Sequence, residues 1–200
     1  MVVVTMAGTS RAADSKPVEV VPSLDLQRYA GRWFEIARYP NRFQKNCAGD
    51  TAAEYALRAD GKISVKNTCR KSSGEAIVAN GTAKVADAKG PKSKLKVTFF
   101  WPFYGGYWVS GLDPDYRWAI VGDGNRDYLW ILSRTPRLDE PTYARILEII
   151  RRQGFDPGRL ITTKQGAADY TVVRHPTQAI PCGPQPRLRC LYAPSPPPSC

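Results

Sequence analysis

The sequence predicts an all-β fold, an eight-stranded up-and-down antiparallel barrel with one C-terminal α-helix packed outside. Three observations carry the prediction. Eight short runs from residue 31 onward alternate apolar and polar residues. Turn signals separate several of them, Asp60-Gly61, Asp113-Pro114 and Asp123-Gly124 among these. One stretch after residue 139 switches to helical spacing, and no second one follows it.

The first strand is expected over Gly31 to Tyr39. Thr51 to Arg58 follows, with Ala53, Tyr55 and Leu57 on one face. Asp60-Gly61 then turns the chain into Ile63 to Arg70, where Ile63, Val65 and Cys69 alternate with Lys62, Ser64, Lys66 and Thr68. Ala76 to Val85 is a weaker run, and its Asn80-Gly81 reads either as a bulge or as a true turn. Leu95, Val97 and Phe99 alternate with Lys94, Lys96 and Thr98. Gly106 to Leu112, Tyr116 to Val121 and Tyr128 to Ser133 complete the eight. Short, regular connections favour a meander closed into a barrel, which leaves no strand edge unpaired.

The helix is expected to start at Asp139, an N-cap residue, with Pro141 in the first turn where its missing N–H costs nothing. Tyr143, Ile146, Leu147 and Ile150 form an apolar stripe suited to a barrel wall. Arg151 and Arg152 complement the C-terminal end of the dipole, and Gly154 stops the helix. Leu160 to Thr163 reads as a short edge strand. The domain organisation follows: residues 1–21 form a flexible N-terminal segment, 22–165 the domain, and 166–200 a Pro-rich disordered tail. Neither a complete signal peptide nor a Leu-x-x-Cys lipid-attachment signal is legible near the start, although Met6 to Ala13 resembles part of a cleavage region.

Composition narrows the chemistry. The single histidine, His175, lies in the tail, so neither a Ser–His–Asp site nor a His-ligated zinc site belongs to the body. Five cysteines include no CxxC pair. Cys47 and Cys69 flank a hairpin and either bridge, which would stabilise by about 3 kcal/mol, or remain two buried thiols. Asp113 with Asp115 reads as turn chemistry and Asp139 with Glu140 as helix capping, so no shielded acid–base pair is indicated. No catalytic residue, metal or cofactor is expected. The formal charge of +11 is scattered along strand positions, which fits a solvated basic face or a preference for anionic membrane surfaces, and does not suggest nucleic acid.

Eleven aromatic residues crowd between Phe99 and Trp130, too many for one barrel's exterior. They line a hollow or fill a solid core, and patterning alone leaves both open. The candidate lining residues are Tyr55, Phe100, Phe103, Tyr104, Tyr107, Trp118 and Trp130. A one-residue register slip would invert any of these assignments.

Four segments bring in a family. Tyr29-Ala-Gly-Arg-Trp-Phe-Glu-Ile-Ala-Arg38 resembles the opening signature of lipocalins, with its Gly-x-Trp at Gly31 and Trp33. Leu112-Asp-Pro-Asp-Tyr116, containing Asp115 and Tyr116, resembles the second signature. Tyr128 to Pro136 resembles the third, in which Arg134 would pack over the Trp33 indole. With Phe99 to Tyr107 these are similar to bacterial outer-membrane lipocalins of the Blc type, relatives of apolipoprotein D. The resemblance spans residues 22–165 and implies a lipocalin barrel whose cavity takes a fatty acid or lysophospholipid. It further implies lipid transport or storage for envelope maintenance under stress, in the periplasm, at the outer membrane or as a secreted protein, by a monomer or homodimer. The chain departs from the bacterial lipoproteins in lacking the lipidated cysteine and in carrying a Pro-rich tail. Two other readings compete: an enzyme on the same barrel, for which Cys69 is the only strand thiol, and a ligand-free protein that docks on a membrane or partner.

Overall fold

A computed structural model describes residues 16–166. Eight antiparallel strands form a meander: β1 (Gly31–Arg38), β2 (Gly49–Leu57), β3 (Ile63–Arg70), β4 (Ala76–Val85), β5 (Lys94–Phe100), β6 (Phe103–Leu112), β7 (Trp118–Gly122) and β8 (Leu129–Ser133). The first strand pairs with β8 along one edge and with β2 along the other, which closes the barrel. A ninth strand, β9 (Ile161–Thr162), pairs with Ala37 and Arg38 where β1 has diverged from β2. The helix α1 (Leu26–Tyr29) lies before β1, and α2 (Glu140–Arg152) follows β8.

Two apolar layers result from period-2 alternation. Inside lie Trp33, Ala53, Tyr55, Val65, Leu95, Val109, Val121 and Leu132. Outside, Ile36, Trp118, Ile120 and Ile131 meet Ile146 and Ile150 of α2. The Asp139 carboxylate accepts from the Thr142 N–H, and Gly154 adopts φ +77°, so both ends of the helix stop where the sequence indicates.

Asn80-Gly81 is neither a bulge nor a turn. Register runs without interruption through Lys66↔Asn80 and Val65↔Gly81. Glycine is needed there for space, because a Cβ would meet the Thr98 carbonyl oxygen at 2.7 Å and the Phe99 ring at 2.8 Å. A further departure concerns the N-terminal segment. Val18 is buried in the outer layer, the Val21 N–H donates to the Val109 carbonyl, and the Ser93 hydroxyl donates to the Val21 carbonyl. Residues 16–21 are therefore packed on the barrel. The expected tail beyond 166 and the first fifteen residues lie outside the described residues.

The two ends of the barrel differ. At one end α1 and Trp33 form a floor. At the other, the mouth, are the loop between β1 and β2, the β3–β4 turn, the β5–β6 hairpin and the β7–β8 turn. A disulfide between Cys47 and Cys69 joins the mouth loop to β3, which settles the open question of these thiols.

Candidate functional site

The floor is built from rings. The Trp33 indole is fully buried, and its Nε1 donates to the Tyr29 carbonyl at 2.8 Å. Arg134 covers the indole with its guanidinium carbon 3.8 Å from the ring centroid, while its nitrogens donate to the Arg28, Arg32 and Tyr116 carbonyls. Above this plug, the Tyr29 and Tyr107 hydroxyls lie 2.7 Å apart, and Tyr107 donates to Tyr55 at 2.9 Å. Burial pushes all three phenols up, Tyr55 to about 12, so they stay neutral.

Higher on the wall the interior becomes polar. An irregularity in β1 between Glu35 and Ala37 breaks the alternation. Glu35 pairs with Leu132 and Arg38 with Trp130, both partners inward-facing, so both charges enter the barrel. Arg38 Nε lies 3.2 Å from the Glu35 carboxylate. That carboxylate also accepts from Gln44 Nε2 at 2.6 Å and from the Thr163 hydroxyl. Burial raises the Glu35 pKa, and the hydrogen bonds from Thr163 and Gln44 and the charge of Arg38 oppose the rise. Gln44 sits on the mouth loop and accepts from Trp130 Nε1 at 3.0 Å, thereby tying the loop to the inner wall. Asn67, inward beside Val65, has a buried Oδ1 with no partner among the described residues.

The predicted lining residues separate into three groups. Tyr55, Tyr107 and Trp130 face the interior. Trp118 does not: it is buried in the outer layer against α2, because Ala119 and Val121 are the inward residues of β7. Tyr104 also points outward, between the ammonium groups of Lys84 and Lys96 at 5.1 and 5.7 Å from its ring. Phe100 and Phe103 pair across the hairpin at the mouth and are 82% and 78% exposed, so they form its rim rather than a wall. Among the signature residues, Gly31 takes φ +91° with Arg134 packed against it. Tyr116 takes φ +61° and accepts from the Asp25 N–H. Asp115 is an exposed turn residue. The buried Asp113 holds that turn instead, accepting from the Asp115 and Arg117 N–H groups and from the Arg117 guanidinium.

Sequence reasoning missed Glu35, Arg38 and Gln44. The available signal was two opposite charges three residues apart inside the otherwise apolar run Trp33 to Tyr39, a spacing that period 2 sends to opposite faces unless a bulge intervenes. A surface concavity of about 610 Å³ lies elsewhere, across β1 to β4, lined by outward residues such as Arg32, Glu54, Arg58 and Lys66.

A closed eight-stranded antiparallel meander with a plugged floor and one helix packed outside defines a lipocalin-type β-barrel. The lipocalin-like domain family profile matches residues 24–165, and the chain belongs to the lipocalin family. It is 43% identical over 159 residues to temperature-induced lipocalin-1 of Arabidopsis thaliana, covering 76% of this chain and 85% of that one. The outer membrane lipoprotein Blc of Citrobacter freundii is 42% identical over 161 residues, with 76% and 86% covered. Apolipoprotein D of Mus musculus is 32% identical, with 76% and 81% covered. Insecticyanin of the tobacco hornworm Manduca sexta superposes with a TM-score of 0.62 at 25% identity, covering 75% of this chain and 85% of that one.

Proposed function

We propose that the barrel carries one small amphiphilic lipid, a fatty acid or a lysophospholipid, and catalyses no reaction. The supporting observation is the inner wall above the tyrosine floor. There Val97 and Trp130 face inward yet remain only half-buried, so solvent reaches the inner wall above the floor. An acyl chain of about 14 methylenes would gain roughly 11 kcal/mol gross from burial at ~0.8 kcal/mol each, less ordering and association costs. Polar groups near the mouth (Arg38, Gln44 and the unpartnered Asn67 Oδ1) suit a head group left at the entrance. Against an enzyme stands the use of Cys47 and Cys69 in a disulfide, which removes the one strand thiol among the described residues as a nucleophile.

Kinship with proteins named outer membrane lipoprotein supports a place in the periplasm or at the outer membrane, where such a carrier would serve envelope maintenance and meet anionic bilayers. The test is a titration of delipidated full chain with lysophospholipid or fatty acid. Tryptophan emission should quench saturably at about one ligand per chain. Trp130→Phe should lose most of the quench. A response that never saturates, or one that Trp130→Phe leaves intact, removes the proposal.

A further inference from the structure

The exposed large apolar side chains gather at the mouth. Phe100, Trp101 and Phe103 at the β5–β6 hairpin are 82%, 81% and 78% exposed, and Phe43 on the neighbouring loop is 66% exposed. The floor end, with α1 and the turns at 58–62, 86–93 and 113–117, presents no such side chain among the described residues. Single exposed apolar residues need no explanation, but three such aromatics within four residues of one hairpin do.

Charge is distributed around this tip in a definite way. No charged residue occurs from Val97 to Tyr107. Behind it, Lys84 and Lys96 flank the Tyr104 ring, and Arg42 lies 5.2 Å from the Phe43 ring. None of these three cations has a carboxylate within 4 Å among the described residues. Aromatic rings ahead of uncompensated ammonium groups match the depth profile of a bilayer interface, where rings sit at the acyl boundary and cations remain among the phosphates.

We infer that the hairpin Phe99 to Tyr104, with Phe43, docks the barrel mouth-down on an anionic phospholipid bilayer. A second copy of the chain is a poorer occupant. Tip-to-tip contact would bring two identical sets of lysines together, which disfavours it electrostatically. A bilayer carrying acidic head groups supplies the opposite charge. The hairpin belongs to the same rim as the Trp130–Gln44 contact, so docking places the entrance against the source of cargo. This deepens the carrier reading by fixing its orientation, while the docking surface stands on residues of its own.

Full-length protein is mixed with vesicles of phosphatidylcholine alone, or with added phosphatidylglycerol, and pelleted. The expected result is co-sedimentation that is stronger with phosphatidylglycerol and weakened by salt. The variant F100S/W101S/F103S, checked for native circular dichroism, should partition at least about tenfold less. K84Q/K96Q should lose the preference for phosphatidylglycerol. No pelleting of the wild type, or equal pelleting of the triple variant, overturns the inference. So does a wild-type dimer in sedimentation velocity that the triple variant dissolves into monomers, since the tip would then bind a second copy. The amphiphile titration of the wild type is read separately and without vesicles, so failed cargo binding and failed docking are distinguishable.

Discussion

The Arg134 guanidinium carbon lies 3.8 Å over the centroid of the Trp33 indole, and the same guanidinium donates to the backbone carbonyls of Arg28, Tyr29, Arg32 and Tyr116, in three other segments. One side chain thereby joins α1, the start of β1 and the β6–β7 turn. Arg134→Ala should cost about 2–4 kcal/mol in urea unfolding, from lost charge-assisted hydrogen bonds and the cation–π contact. Arg134→Lys should recover little, because an ammonium lacks the planar fork that reaches these four carbonyls at once. Wild-type stability in the Lys variant would contradict this account.

Glu35 sets a pH dependence. Its pKa is raised in the folded chain chiefly by burial, so the folded state holds the proton longer than the unfolded one. Stability therefore falls as pH climbs from the ordinary carboxylate range through the folded pKa, by at most about 1.4 kcal/mol per pH unit for one proton. Glu35→Gln should flatten this slope in unfolding experiments at a series of pH values. At neutral pH Glu35→Ala should cost more, about 3–5 kcal/mol, by leaving Arg38 buried without its partner.

The tyrosine chain gives an alkaline counterpart. Tyr55 is pushed up to about 12 by burial, and Tyr29 and Tyr107 rise with it. Ultraviolet titration of the native protein should show these three phenols still protonated when exposed tyrosines have ionised. Stability should decline as pH rises above the ordinary phenol value, since unfolding releases these protons. Tyr107→Phe should cost about 1–3 kcal/mol, because Tyr29 and Tyr55 each lose a buried partner.

At Gly81 the hairpin rests on missing atoms. Gly81→Val would place a Cβ 2.7 Å from the Thr98 carbonyl oxygen and 2.8 Å from the Phe99 ring. The expected loss is about 1–3 kcal/mol, read as a lower urea midpoint. Ala83→Gly on the same face should cost a cavity but leave the hairpin in place.

The meander was legible because turn chemistry and alternation agree from Ile63 to Arg70, and because Tyr143, Ile146, Leu147 and Ile150 share one helical face. Trp33 and Arg134 were legible from the family motif. Trp118 was not, because each residue of β7 is apolar or glycine and both faces are covered, so alternation carries no direction there. Phe100 and Phe103 flank the dipeptide Trp101-Pro102, a turn signal that places both at a hairpin tip and so at the rim. Glu35 and Arg38 reach the same interior through an irregularity in one strand, which no period-2 rule anticipates.

The bridge between Cys47 and Cys69 encloses β2, the following turn and most of β3, and pins the segment bearing Phe43 and Gln44. Opening it removes a tether of about 3 kcal/mol without deleting any rung of the sheet ladder. In a thiol-rich environment the mouth loop bearing Phe43 and Gln44 would lose its covalent anchor while the closed ladder of the barrel persists.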